Sequence, residues 1–144
     1  TPCFCLMLGF ENPIDLAWDM AVIKNSILSW CANNTSKPGR AGKLSIVVHS
    51  SNAWAAEHID ADQDVIMDKM LSAFKSITHK QFTPSHQALH LWRYANAPKV
   101  SGKSCFVDTQ SQIALCGDWC IQGRAESAYL SAESLINEFN SLNN

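Results

Sequence analysis

Four strand-like runs precede the first amphipathic helix of this chain, and this order constrains its fold more than any other feature. The runs are "CFCLMLGF" (3–10), "MAVIKN" (20–25), "ILSWCANN" (27–34) and "LSIVVHSS" (44–51). The last is rich in β-branched residues, which suit a pleated strand. Because strands and helices do not alternate regularly, the βαβ units of a parallel sheet are not expected. The sequence therefore predicts an α+β fold with a mostly antiparallel sheet.

The segment 60–77 has the period of a helix that packs one face on this sheet. Its apolar residues recur at intervals of three or four: Ile66, Met70, Phe74 and Ile77. Asp62 is a suitable N-cap, and Asp64 adds negative charge to the first turn. We expect one helix here, packed on the sheet.

The remainder of the chain predicts a strand over 85–95, a hairpin over 104–118 with its turn near 109–111, and a helix over 124–139. The segment 113–117 is expected to be a buried strand. The inner stripe of the last helix is expected to be formed by Ala128, Ala132, Leu135 and Phe139.

Charge and hydropathy exclude several classes of partner. The formal net charge is −2 at pH 7, and no cluster of Lys or Arg marks a site for nucleic acid or anionic membrane. No apolar run approaches the length of a membrane span. The chain begins at Thr1 without a signal-like segment, so we expect a piece of a longer, cytoplasmic protein.

The six cysteines do not predict a metal site. They are spaced C-x-C and C-x-x-x-C at closest, which matches no structural zinc site. Most lie in apolar strand contexts, so reduced, buried thiols are expected, with an incidental disulfide as the alternative. His86 and His90 have a metal-binding spacing only on a helix; on a strand they lie about 13 Å apart. No metal is expected.

The segment 117–126 joins a strand end to a helix start through an acid and two glycines. Asp118 can accept hydrogen bonds from a ligand hydroxyl, and Gly123 permits close approach to the backbone. The first turn of the following helix offers free N–H groups and partial positive charge. The residues are compatible with a cofactor site and also with an ordinary strand–loop–helix connection.

Several motifs give this chain a family resemblance. "ALCGDWCIQGRAESAYLSAESL" (114–135) resembles the C-terminal flavin motif of the flavin-containing amine oxidase superfamily, especially its bacterial renalase-like branch. "TPCFCLML" (1–8), "WCANNTSKPGR" (30–40), "VVHSSNAWAAEHID" (47–60) and "HLWRYANA" (90–97) resemble further segments of that family, in the same order. The resemblance thus spans essentially the whole chain.

The chain departs from the family pattern at a few places. Asn52-Ala53 replaces Pro-Glu, and Gln122 replaces the first glycine of Gly-Gly-Arg. Small residues stand where Val, Gly and Gly are usual: Ala125, Ser127 and Ala132. The G-x-G-x-x-G dinucleotide fingerprint is missing from the chain.

The resemblance implies that the chain is the C-terminal portion of a flavoprotein, whose partner would be its N-terminal FAD-binding half. Residues 1–103 would belong to the substrate-binding domain, and 104–144 would supply a strand hairpin and a helix that returns to the FAD domain. The implied FAD-binding residues are Gly117, Asp118, Gly123, Arg124, Ala125 and Glu126. Asp118 would contact the ribityl chain or pyrophosphate, with a capping role as the alternative; the Arg124 side chain could instead form a structural ion pair.

The resemblance also implies a substrate cavity that faces the flavin. His49 would be the catalytic residue there, with a satisfied buried histidine as the alternative. Asn33, Lys37 and Arg40 would line the cavity or simply be solvated loop residues. Trp92 would be an aromatic wall of the cavity, with core packing as the alternative.

These expectations together describe part of an FAD-dependent oxidoreductase. The full enzyme would take a hydride from an amine or a dihydronicotinamide and pass electrons to O₂, with the flavin supplying the chemistry. The isolated chain is expected to be inactive and not to retain FAD. The alternative is a freestanding small binding module without a cofactor.

Overall fold

A computed structural model describes residues 1–98 and 102–142 of the chain. Two compact units are present, Thr1–Ala95 and Asn96–Asn144. The expected functional division at residues 103 and 104 thus lies inside the second unit, and the assignment of roles to the two parts stays a prediction.

The first unit contains one five-stranded antiparallel sheet, which confirms the α+β fold class. Its strands are β1 (Cys3–Gly9), β2 (Met20–Val22), β3 (Leu28–Asn33), β4 (Ser45–Ser50) and β5 (His86–Trp92). Their order across the sheet is β2-β3-β4-β1-β5. The N-terminal strand therefore lies between the two later strands β4 and β5, so the sheet depends on pairing between segments that are distant in sequence.

Two helices follow β4. Helix α2 spans Gln63–Thr78 and is capped by Asp62, whose Oδ1 accepts hydrogen bonds from the N–H groups of Asp64 (2.9 Å) and Val65 (3.2 Å), as the sequence predicts. A short helix, α1, spans Asn52–Glu57 and was not predicted. Six residues are too few to show a clear helical period, although Ser51 is an N-cap that could have indicated it.

Both helices lie on one face of the sheet and enclose the core there. Ile66, Met70 and Phe74 are buried as predicted, whereas Ile77 in the last turn of α2 is 38% exposed. The core residues from the strands are Phe4, Leu6, Leu8, Leu28, Cys31, Ile46 and Val48. Burial of these side chains supplies the main driving force for folding.

The opposite face of the sheet is covered by no helix of the first unit, all of whose residues the structure describes. Directly opposite residues in antiparallel strands share a face, so the pairing registers identify its members. We call it the open face: Cys3, Cys5, Met7, Gly9, Met20, Val22, Trp30, Ala32, Ser45, Val47, His49, His86, Ala88, His90 and Trp92. None of these side chains carries a carboxylate or an ammonium group.

The second unit consists of a hairpin and a helix. The hairpin strands are β6 (Phe106–Asp108) and β7 (Ile113–Leu115), and its turn lies where the sequence predicts it. The expectation of a buried strand is wrong for β7, because Ile113 is 55% and Leu115 is 51% exposed. A hairpin of two three-residue strands is too small to enclose both faces.

Helix α3 spans Ala125–Leu142 and packs with a different face from the predicted one. Ser127 and Ser131 are buried, whereas Ala128, Ala132 and Phe139 of the predicted stripe are exposed and Leu135 is half-buried. The physical reason is a polar tether. Ser131 Oγ accepts a hydrogen bond from Gly117 N–H (3.0 Å) and donates one to the carbonyl of Ser104.

Among the described helices, none is both long and apolar enough to cross a membrane.

Candidate functional site

His49 lies on the open face at the centre of a row that crosses the sheet. Cys5 on β1 and Trp30 on β3 are its direct cross-strand partners, and His90 on β5 is the partner of Cys5 on the other side. The rings of Trp30 and His49 are 5.1 Å apart between centroids, with a tilt of 38°. The sheet therefore brings two imidazoles, a thiol and an indole into one line.

The imidazole of His49 is half-buried and bonded to no other described residue, although its backbone carbonyl accepts a weak bond from Ser29 Oγ (3.5 Å). Burial lowers the pKa of His49 because it disfavours the charged ring. The lowered pKa favours the neutral imidazole, which can both donate and accept a hydrogen bond.

Trp92 belongs to the open face rather than to the core. Its side chain is 56% exposed, and its ring contacts the ring of His90 at 4.4 Å between centroids. The following residues leave the strand: Tyr94 is exposed, and Arg93 lies 3.8 Å from the carboxylate of Asp60. Trp92 and His90 therefore form an aromatic surface at one end of the open face.

The loop residues predicted to line the same cavity do not meet His49. Asn33 lies opposite Ile46, on the core side of the sheet, and its Oδ1 accepts a hydrogen bond from Thr35 N–H (3.0 Å). Since Ile46 and His49 are three residues apart on β4, about 10 Å of strand separates the two positions. Lys37 and Arg40 are exposed beyond that far end, so the structure separates these residues from His49.

Gly117 and Gly123 in the second unit are explained by neighbouring parts of the chain. A Cβ on Gly117 would lie 2.5 Å from the indole nitrogen of Trp119. Gly123 has φ +53°, a left-handed conformation that favours glycine, and a Cβ there would lie 3.3 Å from the backbone nitrogen of Ala97. The space beside each glycine is filled without a ligand.

Asp118 serves the fold through its backbone and leaves its side chain unused. Its carbonyl accepts hydrogen bonds of 3.0 Å from the N–H groups of three residues, Ile121, Gln122 and Gly123. Its carboxylate is exposed and has no partner among the described residues. This side chain therefore does not cap a helix. The carboxylate is free to accept a hydrogen bond from a ligand.

The start of α3 is open to solvent. Arg124, Ala125 and Glu126 are all exposed, and Arg124 forms no ion pair with the described residues. Glu126 already places a negative charge in the first turn, where it complements the helix dipole. An anionic group would have to approach the backbone N–H groups on the side away from Glu126.

The cysteines are free in the structure, and all but Cys116 are buried. Burial raises the pKa of Cys31 to about 11 and also raises the pKa of Cys5, so both thiols stay protonated near neutral pH. Within 1–98 and 102–142, no group of three or more His, Cys, Asp or Glu could hold a metal ion.

Sequence reasoning did not assign roles to Trp30, Cys5 or His90. Trp30 stands at the start of a stretch with family resemblance, but a cross-strand partner is set by register, which one strand's sequence does not reveal. Alternation along β4 could have indicated that His49 faces away from Val48, and no more than that.

A comparison with models of known protein families finds none that matches this chain. The structural observations on the open face and on the 117–126 segment are therefore the main basis for a functional proposal.

Proposed function

We propose that this chain is the substrate-binding portion, with one flavin-contacting segment, of a cytoplasmic FAD-dependent oxidoreductase. The enzyme oxidises an amine or a dihydronicotinamide by hydride transfer to flavin, and O₂ accepts the electrons. The partner of the chain is the FAD-binding half of the same enzyme.

The observation that carries this proposal is the open face. A layer of apolar and ring side chains that includes the half-buried imidazole of His49 and carries no carboxylate or ammonium group suits a flat, ring-bearing molecule. His49 would orient the substrate through a hydrogen bond to a carbonyl, amide or amine, without acting as a base. Trp92 would form the aromatic border of the site.

The second unit fits a flavin contact in part. The unpartnered carboxylate of Asp118 and the exposed first turn of α3 can bind hydroxyl and carbonyl groups of a cofactor. The two glycines add nothing to this fit, since Trp119 and Ala97 already occupy the adjacent space. When bound, FAD supplies the hydride-accepting ring, and the chain supplies binding and orientation.

The test is His49→Ala in the full-length flavoprotein. Loss of one oriented hydrogen bond should slow substrate-dependent flavin reduction by about tenfold, equivalent to about 1.4 kcal/mol. Reoxidation by O₂ should be unchanged, because that step needs no substrate contact. Stopped-flow absorbance separates the two half-reactions.

His86→Ala is the matched control, because this exposed histidine lies at the far end of the open face, opposite Gly9 and about 13 Å along the sheet from the row of His49. It should leave both half-reactions at the wild-type rate. Flavin reduction at the wild-type rate in His49→Ala would remove His49 from the site.

A binding module without a cofactor is the second candidate. It is favoured by the exposed apolar side chains of the second unit, which include Tyr129, Ile136 and Leu142. A full-length sequence without a G-x-G-x-x-G strand–helix element would favour this candidate.

A further inference from the structure

A β-bulge lies in β3 beside the candidate site. Leu28 is opposite Ser50, and Trp30 is opposite His49. Between these two pairs the chain advances by two residues on β3 but by only one residue on β4. Ser29 is therefore the extra residue of the bulge. Bulges often redirect a side chain near a functional site.

The bulge is held by hydrogen bonds on both sides. Ser29 Oγ donates to the carbonyl of Ser50 at 2.8 Å, and the carbonyl of Ser29 accepts a bond of 2.8 Å from Ile23 N–H. Next to the bulge, the N–H group of Ser51 donates a hydrogen bond of 2.7 Å to the carbonyl of Ile27. The extra residue is thus fixed in place.

The register shift decides which face of the sheet receives the indole. If the pairing of Leu28 with Ser50 continued without a bulge, Ser29 would be opposite His49. Trp30 would then be opposite Val48 and would point to the core, because a shift of one residue reverses the face. The bulge instead places Trp30 on the open face, beside the imidazole.

We infer that Trp30 is a positioning residue, which fixes the ring orientation of His49 and shields one side of it from water. This inference rests on the proposed function for the role of His49. The ring contact at 5.1 Å, the direct cross-strand pairing and the pinned bulge carry it.

Few side chains approach the imidazole of His49 on the open face. Trp30 approaches it from β3 and Cys5 from β1, and His90 follows beyond Cys5. The open face carries no carboxylate or ammonium group, and Trp30 is the residue whose ring contacts the imidazole of His49.

The test is an NMR titration of the His49 imidazole in the 144-residue chain. In the wild type, the pKa should lie below the ordinary histidine value. In Trp30→Leu it should rise toward that value, because water regains access to the ring. Trp30→Phe should keep the low pKa, and Met20→Ala, elsewhere on the open face, should not change it.

An unaltered His49 pKa in a folded Trp30→Leu variant would overturn the inference. A second measurement needs no substitution: nuclear Overhauser contacts between the Trp30 and His49 ring protons should be present in the wild type, and their absence would also overturn it. The melting temperature establishes that each variant is folded.

A kinetic experiment distinguishes this inference from the proposed function. In the full-length flavoprotein, Trp30→Leu should slow flavin reduction by about tenfold, as loss of the oriented His49 contact does, and should leave reoxidation unchanged. If the pKa of His49 rises but flavin reduction keeps its wild-type rate, His49 has no role in substrate contact. The inference that Trp30 shields and orients the His49 ring would then hold, and the proposed function of His49 would not.

Discussion

Asp118 differs from its neighbours because its side chain has no structural task in the described part of the chain. Gly117 and Gly123 are required by Trp119 and Ala97, and the backbone of Asp118 closes the turn between them. An exposed acid at a strand end, free of intramolecular bonds, is a stronger candidate for ligand contact than the glycines beside it.

We predict that Asp118→Ala leaves the stability of this chain unchanged within about 0.5 kcal/mol. Asp62→Ala is the matched control: it removes an N-cap with two hydrogen bonds and should cost about 1 kcal/mol. Urea denaturation of the two variants measures the difference. In the proposed full-length flavoprotein, Asp118→Ala should lower the bound-flavin ratio; lowered stability with normal flavin content would instead indicate a structural role.

At the level of elements, strands and helices with a regular apolar spacing were predictable from sequence, whereas single hydrogen bonds that orient a helix were not. The β-branched run of β4 and the apolar spacing of α2 determine those elements locally, so both were predicted close to their observed bounds. The face of α3 was not, because Ser131 holds the helix by two hydrogen bonds. These two bonds fix which face of the helix is turned inward in the second unit, and no apolar spacing indicates them.

Gly123 offers a test of the connection between β7 and α3. Gly123→Ala should destabilise the second unit by about 1 kcal/mol or more, because the left-handed conformation strains a side chain and the new Cβ meets Ala97. Gly39→Ala is the control, since Gly39 has φ +73° but no heavy atom within 4 Å of the added Cβ. Thermal unfolding should show a larger loss for Gly123→Ala. An equal loss would mean that the contact with Ala97 contributes nothing.

At the level of the whole molecule, the candidate site is assembled by pairing between distant segments. The sequence predicted His49 as a site residue and the antiparallel sheet that carries it. It could not predict that Asn33 would lie on the other side of the sheet, or that Cys5 and His90 would join the row of His49. Those facts depend on register, which forms only when strands separated by some 40 residues meet.

The isolated chain should be colourless as purified. Its share of the proposed flavin contacts would be Asp118 and one helix start, which are too few to retain a cofactor. Absorbance near 450 nm (an order-of-magnitude position for flavins in general) after incubation with FAD and gel filtration measures retention. A stoichiometric flavin spectrum would contradict the proposed division of the cofactor site.

Strand β5 forms one border of the sheet, and among the described residues it pairs only with β1. Its sequence, "HQALHLW", contains neither proline nor any Asp, Glu, Lys or Arg, the residues by which natural sheets keep their borders from joining those of other molecules. The colloidal behaviour of the purified protein should follow from this strand: in concentrated solution, we expect molecules to associate through the border formed by β5.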